Sequence, residues 1–335
     1  MSPTQPTISD RSERLRRAMP RIASGLVCVA ALLLVLAPGA ASAAELRTVV
    51  AFDPAAAQTP ENLAIARDGT IYVSLAFASQ IRRIAPDGSQ ATLTMPTSGG
   101  ITVGVAIDRH HGGDLDVAVR SADPAAAGIW RVSSSSFANP TRIAALPTSS
   151  FPNGITFDSA GSLYVADSSL GVIWRIAPGS SQASVWSESP LLEPTGASFM
   201  GFPLPGANGI KIRDDVVYVS NTATQNILTI PIQADGKAGK VTVRFTGIQA
   251  DDFAFAANGD LYITENPLST LIRVTPDGDI ATLATKTDGL DNPSAVAFDP
   301  RPHHRRDLYV TNAAYFGTHP SLQVTATGDA GQRLP

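Results

Sequence analysis

Glu61, Asn153, Asn208 and Asp251 are four oxygen-bearing side chains that stand at the same place in copies of one recurring motif. Two carboxylates and two amide oxygens offer a metal only hard donors and two negative charges. That set suits Ca2+, which takes about six to eight oxygens and lets water or substrate fill the remainder. Mg2+, Mn2+ or Zn2+ are the alternatives, and soft metals are disfavoured. Taken singly, Asn-Gly and Asp heads are ordinary turn formers before a strand. Glu61 has no turn-forming reason to be there, and four polar heads in register read as a ligand set.

The elements that must position these side chains follow from the motif itself. Its six copies begin ENLAI at Glu61, VGVAI at Val103, NGITF at Asn153, NGIKI at Asn208, DDFAF at Asp251 and SAVAF at Ser294. Most run through a Gly- or Asp-bearing turn into an apolar strand such as IYVS, LYVAD, VYVSN, LYITE or LYVTN. The mean spacing of about 47 residues belongs to a propeller or solenoid. Copy three separates the two. It reads as short strands at 154–158, 163–167, 172–177 and 183–187, and four antiparallel strands make a propeller blade. Helical periodicity is missing after residue 43. The fold class is therefore all-β, a six-bladed β-propeller with four antiparallel strands per blade. Copy six supplies only three strands, and 46–52 is expected to close the ring as the outermost strand of blade six. First strands line the central channel of a propeller, so the heads should meet in a ring at one end, with Val103 and Ser294 in the other two places. A one-residue slip would present Asp252 in place of Asp251.

Residues 1–43 read as a secretory signal: five Arg, an apolar run from Leu26 to Leu36, and Ala41-Ser42-Ala43 as a cleavage site. The run is shorter than the roughly 20 residues a membrane span needs. Residues 44–335 are then one propeller domain, secreted or extracytoplasmic, and a monomer. The leader's five Arg stand against Asp10 and Glu13, so the chain's formal charge of −4 becomes −7 without it. An acidic domain of this kind is a poor nucleic-acid binder. The only cysteine, Cys28, lies in the leader, which excludes disulfides and thiolate chemistry from the domain.

PEN at 60–62, PNG at 152–154, ANG at 207–209, the Asp251-Asp252 pair and PSAVAF at 293–298 together resemble the senescence marker protein/gluconolactonase (regucalcin-like) family of six-bladed propellers. The chain is similar, more distantly, to diisopropylfluorophosphatase and the paraoxonases. The resemblance covers nearly all of the domain. It implies a catalytic divalent metal held by Glu61, Asn153, Asn208 and Asp251. The family's usual Pro-Asp-Gly is replaced here by Ala250-Asp251-Asp252, and its substrate-binding Arg and Glu have no match at corresponding positions.

Such a site implies a hydrolase of lactones or related esters, with the metal as Lewis acid and Asp251 positioning or deprotonating water, or attacking directly. No G-x-S-x-G elbow offers a serine alternative. His110-His111 and His303-His304 fall in turns at the far end of the channel and read as solvated. His319, on the head side, is a candidate acid/base residue. Asp167, Asn221, Glu265-Asn266 and Asn312 are expected to form a substrate rim. Trp130, Trp174 and Trp186 read as packing residues. The competing readings are a non-catalytic NHL-like propeller that binds a protein or carbohydrate partner, and a strictosidine-synthase-like propeller.

Overall fold

Strands whose two faces are both apolar cannot form an isolated sheet; they must be sandwiched. In the computed structural model, which describes residues 45–97 and 99–333, six four-stranded antiparallel sheets solve this by packing face to face around a ring. Six apolar clusters fill the gaps, one between each pair of neighbouring blades. Between blades three and four, Tyr164 and Ile173 meet Ile210, Val217 and Leu228. Between blades six and one, Ala295 and Leu322 meet Leu63, Val73 and Leu75. Each gap is a small core of its own.

The innermost strands are Pro60–Ile65, Ile101–Asp108, Pro152–Phe157, Ala207–Arg213, Phe253–Phe255 and Pro293–Phe298. Each is followed in its sheet by the second, third and outermost strand in chain order, except in blade six. There the order runs from Pro293–Phe298 through Asp307–Asn312 and Ser321–Ala326 to Arg47–Ala51. The N-terminal strand thus completes the last blade, pairing Arg47 with Val324 and Ala51 with Ser321. This is the expected closure: it covers the outer edge of Ser321–Ala326 and joins the first described strand to the last in one sheet. Beyond the strands, the described residues contain three short 3-10 turns and a two-stranded hairpin, Ser198–Phe199 with Phe202–Pro203. None of their helices is long and apolar enough to cross a membrane. The expected leader, with Cys28, lies outside the described residues.

The heads are re-aimed by a repeated irregularity. In five blades the register between first and second strands shifts at the head: between Pro60 and Leu63, Thr102 and Val105, Pro152 and Ile155, Ala207 and Ile210, and Pro293 and Ala295. A bulge leaves residues out of the ladder and turns their side chains aside. The second strand braces it with a hydroxyl. Asn62 N–H donates to Ser74 Oγ (2.9 Å), Gly209 N–H to Ser220 Oγ (2.8 Å) and Ala295 N–H to Thr311 Oγ1 (2.9 Å). Ser74 and Ser220 in turn donate to the head carbonyls of the next blades, Val103 O (2.5 Å) and Asp251 O (2.7 Å). The Ser or Thr of the YV strand is therefore a latch from blade to blade. Close approach also explains the Gly after two heads. A Cβ on Gly154 would lie 2.6 Å from Asn208 O, and one on Gly209 would lie 2.7 Å from Asp251 O.

Candidate metal and catalytic site

Glu61, Asn153 and Asn208 are buried at the bulges of blades one, three and four, and Asp251 is half-buried just before the first strand of blade five. Asp251 and Asp252 have separate partners. Asp252 turns into the protein, almost fully buried, and pairs with Lys211 Nζ at 2.5 Å. Asp251 accepts from Asn208 Nδ2 at 2.6 Å and from the side chain of Asn266. Asp251 is thus the member of the pair that joins another head. Val103 and Ser294 hold the other two places; the Ser294 hydroxyl bonds Pro60 O (3.0 Å) and Thr311, so it serves the ring.

A second set of residues orients the heads, and it too is periodic. The residue just after the second strand of a blade touches that blade's own head. Ser168 Oγ accepts from Asn153 Nδ2 (3.2 Å), Thr222 Oγ1 accepts from Asn208 Nδ2 (3.0 Å), and Asn266 donates to Asp251. Ser168 and Thr222 pass their own protons to Ala207 O and Ala250 O. Both amides are thereby held by their nitrogen, which leaves each carbonyl oxygen as the end available to a ligand.

The electrostatics are those of carboxylates crowded without enough cation. Glu61 Oε2 is buried and has no hydrogen-bond partner. Burial pushes its carboxyl well above the usual range; Asp251 and Asp252 push it further, and Lys211 opposes them. Burial likewise pushes Asp251 up to about 8, with Asp252 adding to the effect and the bonds from Asn208 and Asn266 working against it. Among the described residues no three His, Cys, Asp or Glu side chains gather into a metal-ligating group. The donors that meet are carboxylates and amides, and the bare Glu61 oxygen is what a hard cation would satisfy.

Other expectations sort themselves by contact. Asp167 caps its turn, accepting from Phe151, Ser169 and Leu170 N–H and from Trp174 Nε1. Asn221 ties down Leu191 O and Glu193 O, Glu265 holds Gln249 N–H and Thr270, and Asn312 holds Asp291 N–H and Gly289 O. These four fasten the chain between blades and are spent on that task, so the expected substrate rim shrinks to Asn266. His319 is exposed, with Nδ1 bonded to Thr318 Oγ1 (3.0 Å). The residue of that loop that feels the carboxylates is Tyr315. Its phenol is pushed well above its ordinary value by burial first, then by Glu61 and Asp251. Nothing in the motif pointed to Tyr315, which lies in the loop between the second and third strands of copy six, outside the motif's shared frame. At the far end, His111 pairs with Asp108 (2.6 Å) and His304 with Asp307 (2.8 Å). His110, Arg67 and Lys211 line a channel of about 630 Å3 that runs in from that side past Leu63, Ile155 and Ala254. The three Trp donate their Nε1 to Ala126 O, Asp167 and Gly236 O, as packing residues do.

No family model matches the sequence, and no curated protein matches it. Solved structures do. A gluconolactonase from Xanthomonas campestris superposes with a TM-score of 0.61 at 16% identity, over 85% of this chain and 90% of that one. Regucalcin from Agrobacterium tumefaciens, described as a calcium-binding protein, gives 0.57 at 17%, over 83% and 94%. A virginiamycin B lyase from Staphylococcus aureus gives 0.56 at 19%, over 81% of each chain. At such identities the likeness carries the fold: the chain is a six-bladed β-propeller built as the gluconolactonase and regucalcin structures are built.

Proposed function

We propose that this protein is a divalent-metal-dependent hydrolase of lactones or related esters, acting as a monomer outside the cytoplasm. The observation that carries the reading is the buried Glu61 Oε2, which has no hydrogen-bond partner and lies within the electrostatic reach of Asp251; the amide nitrogens of Asn153 and Asn208 are already engaged. Likeness to structures described as a gluconolactonase and as a calcium-binding protein supports it. Glu61, Asn153, Asn208 and Asp251 would hold the cation, with Ca2+ the first candidate, and it would supply Lewis-acid polarisation of the substrate carbonyl.

The chain's own residues do the rest. Asn208 and Asn266 hold the Asp251 carboxylate in one orientation. From there it orients a water molecule and accepts its proton as the oxygen adds to the carbonyl carbon. The C–O bond to the alkoxide then breaks, and the proton returns to the departing oxygen. Tyr315 keeps its phenolic proton at neutral pH, so it can donate a hydrogen bond to a substrate oxygen. Lys211 neutralises Asp252 and so keeps the carboxylate cluster from carrying three unopposed charges.

The test has two arms. Bound metal is measured on the purified protein and on the Glu61→Gln, Asp251→Asn double variant; one divalent ion is expected in the first and none in the second. Hydrolysis of a panel of lactones and aryl esters is then followed with and without chelator. Equal metal in both proteins defeats the ligand assignment, and activity that survives chelation defeats the mechanism.

A further inference from the structure

The head-side face carries most of the exposed apolar surface. Phe77, Leu170, Met200, Phe202, Leu268 and Phe316 are exposed, and all six lie in loops at the head end. The other exposed large hydrophobics among the described residues, Val185, Val243 and Ile280, lie on outermost strands. A soluble surface scatters such residues singly, whereas a gathered patch marks a site of contact.

Part of this patch bridges the channel mouth. The hairpin Ser198–Phe199/Phe202–Pro203 leaves the ring between blades three and four, and Phe316 belongs to blade six, on the opposite side. Yet the rings of Phe199 and Phe202 pack edge-on against Phe316, at 5.6 and 5.4 Å. Phe199 and Phe202 are direct cross-strand partners, which sets their rings on one face of the hairpin. Next to Phe316, Tyr315 packs against Phe77 of blade one at 6.0 Å. The phenol of the same Tyr315 lies within the electrostatic reach of Glu61 and Asp251. Aromatic rings thus run from the bridge through the adjacent Phe316 and Tyr315 to Phe77 of blade one.

Four of the polar side chains expected at the rim, which could have read sugar hydroxyls, are already committed. Asp167, Asn221, Glu265 and Asn312 spend their oxygens and nitrogens on backbone and side-chain partners within the ring. We infer that the substrate of this site is a lactone or ester bearing an apolar alkyl or aryl substituent, seated beneath the Phe199–Phe202–Phe316 bridge, and not a polyhydroxylated sugar lactone. This rests on the hydrolase reading above and narrows it.

The experiment compares kcat/KM for δ-lactones graded from the bare ring to medium-length alkyl substituents, with glucono-δ-lactone alongside. The wild type should gain about fourfold per added methylene while the bridge still covers the chain. The Phe202→Ser, Phe316→Ser variant should lose that dependence at an unchanged melting temperature. In parallel, binding of the alkyl δ-lactams, which resist hydrolysis, is measured by calorimetry on both proteins. Preference for glucono-δ-lactone, or an alkyl dependence that the double variant keeps, overturns the substrate class and leaves the hydrolase reading standing. Lactam binding that depends on Phe202 and Phe316 without turnover of any lactone upholds the apolar site and defeats the hydrolase reading. Absence of both overturns the two together.

Discussion

Stripped of metal, the protein should become less stable as pH rises from about 4 to 8, and Asp251→Asn should remove most of that fall. The carboxyl of Asp251 moves from its ordinary 3.8 to about 8 in the folded chain, chiefly through burial. A raised value means that the folded state keeps a proton the unfolded chain has released. The stabilisation is therefore complete below the unfolded value and is lost as pH climbs through the folded one. Each unit is worth about 1.4 kcal/mol, so an interval of roughly four units sets a ceiling near 6 kcal/mol. Asp251 is only half-buried, and solvent screening brings the expected loss down to about 2–3 kcal/mol. That is still a large part of a typical stability of roughly 5–15 kcal/mol. Glu61 shifts in the same direction and adds to it. Urea unfolding at pH 5 and pH 8 in excess chelator reads the effect directly. The wild type should lose stability between the two, Asp251→Asn should lose much less, and the double variant with Glu61→Gln should be level. In excess Ca2+ the wild-type slope should invert, because cation and proton compete for the same carboxylates. A chelated wild type that holds or gains stability up to pH 8, or an Asp251→Asn variant with the wild-type slope, refutes the crowded-carboxylate account.

Two further outcomes follow from the packing around the heads. Gly209→Ala places a methyl 2.7 Å from both Asp251 O and Asp252 Oδ1, so Asp251 must shift; we expect a loss of about 1–3 kcal/mol in urea unfolding together with weaker metal binding. Ser168→Ala frees the Asn153 amide to rotate and should weaken metal affinity by roughly tenfold, read by competition with a fluorescent chelator, with little change in melting temperature.

The repeat told its own story unevenly. The six-bladed ring and its closing strand were legible because they depend on local alternation and on a constant period, both visible along the chain. The heads were legible because one position varied inside a constant frame. The same logic, applied one strand later, misplaced the rim, because side chains that fasten the loops vary from blade to blade as well. Asp167, Asn221, Glu265 and Asn312 end the second strands of four blades. All four bond backbone or side chains of the loops beside them, which marks them as structural fasteners. Ser168, Thr222 and Asn266 follow at the next position and could have been found by asking what a head amide would touch. Tyr315, Lys211 and the hairpin could not. Their partners lie across the ring or in another blade, and no periodic signal connects a loop of blade six to carboxylates in blades one and five.

The strand Arg47–Ala51 gives the ring a single buckle. Fastening it brings together positions about 280 residues apart, Arg47 with Val324, and costs about 3 kcal/mol more chain entropy than closing a ten-residue hairpin within a blade. The blades can each assemble on their own local timetable, while the buckle must wait for both. The ring that aligns the heads is complete only once that seam is fastened.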